Sequence, residues 1–185
     1  MELNRTLRGL VTKQIVIAYW LIPSEPAHSF FQRIINDLAR RYDAPVFEPH
    51  VTIYVGANRT DALETVLSKA AQDCKPIVFQ AIEVSHSDEF IKTLVVEFGL
   101  NMKLLQLNQV IRSAAQDSSD YDLKPHLSLL YKRMSVQTRR RLARSIEVPF
   151  SEVVFDSLKA VRCVSPTRSR ADVEGWRVVA EKPLN

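Results

Sequence analysis

Glycine is scarce in this chain, with four in 185 residues. None falls in a GxGxxG or P-loop pattern, which speaks against a nucleotide held in a glycine-rich phosphate cradle. Cysteine is scarcer still. Cys74 and Cys163 lie too far apart for a zinc signature, and in a reducing compartment they are expected to stay thiols. No run approaches the ~18 apolar residues of a membrane span. Residues 1–12 carry Arg5 and Arg8 but neither a long apolar block nor a small-residue cleavage site. They do not read as a secretory signal, and a cytoplasmic location is the default expectation. Strong charge is lacking too: the net +4 tolerates an anionic substrate without demanding nucleic acid. The 46% hydrophobic content is that of an ordinary globular protein, long enough for one domain or for two small lobes sharing a core.

What is present is a motif that occurs twice. Phe47-Glu48-Pro49-His50-Val51-Thr52-Ile53-Tyr54 is echoed by Leu123-Lys124-Pro125-His126-Leu127-Ser128-Leu129-Leu130-Tyr131. Side chains two apart on a strand share a face. His50 and Thr52 therefore point one way, with Val51 and Ile53 opposite; His126 and Ser128 do the same against Leu127 and Leu129. Proline before each histidine suits the first residue of a strand, where its missing N–H does least harm. A single His-x-Thr is an incidental strand more often than a site; its duplication, with matching prolines and alternation, reverses that. Two such strands brought together present two imidazoles and two hydroxyls to one another. One imidazole can accept a proton from an attacking group while the other supplies one to a leaving group. The hydroxyls can hold the oxygens of a tetrahedral centre. That equipment suits metal-free phosphodiester chemistry, and the near-equivalence of the motifs leaves open which histidine is the base.

Around these motifs the chain alternates. Residues 14–22 are rich in β-branched and aromatic types and predict a buried strand. Apolar residues at Phe30, Phe31, Ile34, Ile35 and Leu38 predict a helix over 26–41, with Ser24 as its cap. Leu63, Val66, Leu67 and Ala70 give a second helix its apolar face. Strands are expected at 77–86 and 90–98, joined as a hairpin, followed by a helix over 101–116. After the second histidine strand come a helix at 135–146, a long strand at 150–164, a basic loop at 166–172 and a last strand at 173–180. His28 reads as a surface residue and His86 as a hairpin-end residue. The run Arg139, Arg140, Arg141 and Arg144 reads as a solvated face. The order β-α-β-α-β-β-α-β-α-β-β, with no Gly- or Ser-rich spacer, predicts an α+β protein: two pseudo-symmetric lobes of antiparallel sheet with flanking helices, fused around a central cleft over 1–185.

The paired motifs resemble the two-histidine (2H) phosphoesterase superfamily, and most of all its cyclic phosphodiesterases. Tyr19-Trp20-Leu21-Ile22-Pro23 is similar to that family's first strand, and the likeness runs from Ile15 to Val179. The resemblance implies a bilobal fold with one motif per lobe and a water-filled cleft between. It implies hydrolysis of 2′,3′-cyclic nucleotides or of ADP-ribose 1″,2″-cyclic phosphate, with His50 and His126 as acid and base. Thr52 and Ser128 would bind phosphoryl oxygens, Tyr131 would match a tyrosine at the phosphate, and Trp20 an aromatic near the base. No metal, cofactor or membrane is implied, and a monomer is expected. Both aromatics keep a competing role as core residues. Regular alternation sets Tyr131 opposite His126 unless the strand bends near Leu130. The segment after Val164 matches no family pattern, so Arg168, Arg170 and Trp176 stay unassigned. RNA-end processing, including 2′–5′ phosphodiesterase or ligase-like activity, is the alternative within the superfamily, and a cleft that binds RNA ends or cyclic nucleotides without turnover is the alternative outside catalysis.

Overall fold

A computed structural model of the protein describes residues 12–72, 74–117 and 119–185. The elements run β1 (Gln14–Pro23), α1 (Ala27–Tyr42), β2 (Val51–Ala57), α2 (Leu63–Ala71), β3 (Ile77–Ser85), β4 (Leu94–Phe98), α3 (Met102–Ala115), β5 (His126–Leu130), α4 (Val136–Ser145), β6 (Glu152–Ser165), α5 (Arg170–Glu174) and β7 (Arg177–Pro183). All the strand pairs are antiparallel, and the seven strands form one hydrogen-bonded sheet, not two separate ones. The order is β1-β2-β5-β4-β3-β6-β7, and β6 pairs back to β1, so six strands close on themselves.

The halves remain visible within that ring. β2, β6 and β7 carry α2 and α3, while β3 and β4 carry α4. Helix α1 packs on β5 and β1, one strand from each half. β6 runs through both, pairing with β3 at its start and with β1 along the rest. The other junction is β2 against β5, at Val51 and Leu127.

β1 reads as an unbroken apolar run because both of its faces are covered. Ile17, Tyr19 and Leu21 enter the main core, whereas Ala18, Trp20 and Ile22 join Val161 in a smaller cluster on the opposite face. The helices bury the faces their spacing predicts, with Phe31, Ile35, Leu38 and Ala39 inward from α1. Three boundaries differ from expectation. Ser24 does not cap α1; its hydroxyl binds the Val154 carbonyl, and Glu25 takes the Ser29 N–H. Phe90–Lys92 is a 3₁₀ turn, not strand. The basic loop ends in α5, opened by a Ser169/Asp172 capping box, and the last strand, β7, starts at Arg177 instead of 173, with Trp176 in the link between them. The capping box is legible in Ser169-Arg170-Ala171-Asp172, but five helical residues are too few to show periodicity.

Candidate active site

The pairing of Val51 with Leu127 decides the geometry of the two motifs. In an antiparallel ladder centred there, His50 lies across from Ser128 and Thr52 across from His126. Val51 and Leu127 are both in the main core. All four polar residues therefore share the other face, each imidazole opposite the hydroxyl of the partner motif.

Both strands then break step at the same place. Tyr19 pairs with Tyr54 but Trp20 with Thr52, leaving Ile53 as an extra residue in β2. Leu94 pairs with Leu130 but Val95 with Ser128, leaving Leu129 extra in β5. Each bulge falls three residues after its histidine, and bulges re-aim the side chains that follow. Ile53 and Tyr54 both turn into the core, as do Leu129 and Leu130. Counting past each bulge brings Val55 and Tyr131 back toward the histidine's side, and Tyr131 is buried there against the main core. Its ring stacks on Phe47 at 4.0 Å and meets Trp176 edge-on at 5.7 Å. Burial holds its phenol well above the usual tyrosine range, with Ser128 nearby opposing the rise.

The two rings are held alike. His50 Nδ1 lies 2.7 Å from the Glu48 carbonyl, and His126 Nδ1 lies 2.7 Å from the Lys124 carbonyl. A carbonyl only accepts, so in each neutral ring Nδ1 carries the hydrogen and Nε2 the lone pair. Glu48 and Lys124 both precede proline, which biases them to extended backbone. Neither Nε2 has a hydrogen-bond partner among the described residues, and neither is fully sealed from solvent.

Their surroundings differ sharply. His50 is 6% exposed. Its face lies on Trp20 with centroids 3.7 Å apart, and the edges of Trp176 and Phe47 approach to 5.9 and 6.3 Å. Burial pushes its pKa down to about 4, against the opposing hydrogen bond to Glu48 and with a smaller downward push from the charge of His126. His126 is more open. Burial lowers its pKa as well, the Lys124 carbonyl opposes, Lys92 adds to the lowering, and Glu89 and Glu97 oppose it. The hydroxyls differ too: Thr52 makes no side-chain hydrogen bond among the described residues, whereas Ser128 Oγ donates to the Ile91 carbonyl at 2.9 Å.

Trp20 is 4% exposed with one face against His50, so it touches the site through the imidazole. Sequence reasoning missed the roles of Phe47, Trp176 and Lys159. Trp176 packs edge-on against both Trp20 and Tyr131, and its indole N–H is buried without a partner. Lys159 on β6, the cross-strand partner of Trp20, binds the Glu48 carboxylate at 2.7 Å, and His28 Nε2 lies 3.7 Å from the same oxygen. Only the rarity of tryptophan could have flagged Trp176. Arg170 pairs with Asp43 at 2.6 Å and Arg168 is exposed. His86 opens the β3–β4 connection, and Cys74 and Cys163 are unpaired thiols. Among the described residues no three His, Cys, Asp or Glu side chains gather as metal ligands, and no helix is long and apolar enough to cross a membrane.

This arrangement can transfer one proton in and one out across a shared tetrahedral centre. The chain is similar to known phosphodiesterases over most of its length. The cyclic phosphodiesterase of Arabidopsis thaliana is 23% identical, covering 94% of this chain and 97% of its own length. The 2′,3′-cyclic-nucleotide 3′-phosphodiesterase of Kluyveromyces lactis is 24% identical over 89% of this chain and 97% of its own. Among solved structures, a phosphoesterase superposes with a TM-score of 0.59 at 13% identity, covering 93% of this chain and 99% of that one. E. coli LigT, in its complex with 3′-AMP, superposes with a TM-score of 0.56 at 12% identity, covering 91% and 97%. The family model described as cyclic phosphodiesterase-like protein matches residues 15–184, and the chain belongs to that family, within the two-histidine phosphoesterase superfamily.

Proposed function

We propose that this protein is a phosphoric diester hydrolase that opens cyclic phosphates on ribose, 2′,3′-cyclic nucleotides above all and ADP-ribose 1″,2″-cyclic phosphate as the related case. The observation that carries this reading is the matched pair of imidazoles, each with Nδ1 tied to the carbonyl two residues back and Nε2 free on a common face. The names of the Arabidopsis and Kluyveromyces relatives support the substrate class.

In the reaction, one neutral imidazole takes a proton from water as the water oxygen bonds to phosphorus. The P–O3′ bond breaks, and the second ring, as imidazolium, protonates the departing 3′ oxygen to leave a 2′-phosphate. Thr52 donates to a phosphoryl oxygen without breaking an existing bond, whereas Ser128 must first release the Ile91 carbonyl. Tyr131, beside Ser128, completes the cradle. Both histidines have lowered pKa values and are neutral in the resting protein at pH 7. The phosphodiester anion entering between them favours the charged form and so recruits the second proton. Trp20 backs His50 and does not face substrate.

The test is incubation of purified protein with 2′,3′-cyclic mononucleotides, with and without chelator, read by phosphorus NMR. A 2′-phosphate product insensitive to chelator supports the reading. Tight binding with no product would replace it with a binding module, and turnover of cyclic-ended or 2′–5′ RNA alone would replace it with RNA-end processing.

A further inference from the structure

The chain enters its two histidines by different means. Before His126, the Phe98 N–H donates to the Pro125 carbonyl at 3.1 Å, so β4 ties the backbone down one residue ahead of the imidazole. Phe98 stands two residues past Val96, the partner of Leu127. The corresponding residue on β1, two past Leu21, the partner of Val51, is Pro23, which has no N–H to give. Residues 44–49 belong to no helix or strand, and side chains hold the approach to His50 instead. Gln32 on α1 donates to the Phe47 carbonyl at 3.1 Å, and Lys159 on β6 donates to Glu48 Oε1 at 2.7 Å.

The sheet places Lys159 for this contact. It pairs with Trp20 on β1, and cross-strand partners share a face, so its side chain rises beside the indole on which His50 stacks. The lysine side chain is 13% exposed, and a second carboxylate, Glu181 on β7, lies farther off at 3.7 Å. Water and salt screen so sheltered a pair less than an open one. The matching residue of the second motif, Lys124, is 75% exposed and pairs with the equally open Asp122 within its own loop. Glu48 is also the residue whose carbonyl takes the His50 Nδ1–H. Rotation about the Glu48 backbone sets where that carbonyl points; Pro49 confines the rotation to the extended range without fixing it. Anchoring the carboxylate on β6 supplies the remaining restraint.

Building on the hydrolase reading above, we propose that Lys159 is a positioning residue: its ion pair with Glu48 holds in place the carbonyl that keeps the hydrogen of His50 on Nδ1 and its lone pair on Nε2. Lys159 acts through Glu48, whichever of the two imidazoles takes the proton of water. His28 Nε2, 3.7 Å from the same carboxylate oxygen, is too distant for a hydrogen bond and does not substitute for the lysine.

The test compares wild type with Lys159→Met, Lys159→Arg and Glu181→Gln. Ring-nitrogen NMR shifts of His50 in the resting protein report its tautomer, and kcat and KM are measured on a 2′,3′-cyclic mononucleotide. In Lys159→Met the His50 signals should move from the Nδ1–H pattern toward a mixture of the two neutral forms, while those of His126 stay. kcat should fall on the order of tenfold, with KM within about twofold of wild type. Lys159→Arg keeps a cation within reach and should recover most of both. Glu181→Gln removes the other carboxylate beside Lys159 and should change neither. Glu48→Gln weakens the same pair from its other end, should act in the same direction, and serves if Lys159→Met does not fold. An unmoved His50 tautomer in a folded Lys159→Met or Glu48→Gln protein overturns the proposal. So does a raised KM with unchanged kcat, which would make Lys159 a substrate ligand, or an equal response in Glu181→Gln. Failure of wild type to turn over cyclic nucleotides overturns the hydrolase reading instead, and the resting tautomer still decides the role of Lys159.

Discussion

The imidazole of His50 lies flat on the indole of Trp20, their centroids 3.7 Å apart and their planes 12° from parallel. Stacking on an indole fixes the ring plane, and the bond to the Glu48 carbonyl fixes its rotation. Burial, not this restraint, favours the neutral ring: it pulls the pKa down to about 4 against the hydrogen bond to the Glu48 carbonyl. That restraint is central to how the site works.

Replacing either histidine should remove most turnover. His50→Ala and His126→Ala are each expected to slow hydrolysis of a 2′,3′-cyclic mononucleotide by about 10²- to 10⁴-fold. Circular dichroism should show the fold retained. Near wild-type activity in either variant contradicts the paired acid–base scheme.

The hydroxyls should respond unequally. Thr52→Val loses a free donor, so kcat should fall on the order of 10²-fold with little change in stability. Ser128→Ala should lose activity too, but also about 1 kcal/mol of stability, because the Ile91 carbonyl loses its partner. Equal denaturant midpoints for the two variants would refute this asymmetry.

Tyr131→Phe separates the hydroxyl from the ring. The stack on Phe47 survives, so stability should stay within about 1 kcal/mol of wild type. Turnover should drop roughly tenfold as one phosphoryl contact is lost. If activity is unchanged, Tyr131 is a core aromatic and nothing more.

His50 should also impose a pH dependence on stability. Unfolded, the ring titrates near 6.5, and folded near 4. As pH falls, the unfolded chain takes up the proton first, so stability is full above pH 6.5 and declines between 6.5 and 4. The loss is roughly 3 kcal/mol from this group. Urea midpoints at pH 7 and 4.5 should lie farther apart in wild type than in His50→Phe; equal separations contradict the assignment.

Trp176→Ala opens the wall beside His50 and admits water. The His50 midpoint should rise toward the ordinary imidazole range, because desolvation is the chief cause of its depression. An NMR titration showing no change would leave Trp176 without influence on the ring.

Much of this was legible in the chain itself. The face shared by His50 and Thr52, and by His126 and Ser128, follows from alternation along a strand, and so does the burial of Val51 and Leu127. The apolar spacing of α1, α2 and α3 is equally local. α5 was hidden because five residues cannot display a helical period. Regular alternation alone sets Tyr131 opposite His126 unless the strand bends, and the bend, a bulge at Leu129, is a matter of pairing with β4 that leaves no mark in its own strand.

By itself, then, the sequence determined which elements form and which chemistry they carry, because strand and helix periodicities are written in neighbouring residues. Only the tertiary structure decided that the two motifs meet at Val51 and Leu127, that both strands bulge in step, and that one histidine is boxed by Trp20 and Trp176 while the other sits beside Glu97. Those relations join residues distant along the chain, and the free energy that selects them, burial of apolar faces in one register and not another, is a property of the packed sheet.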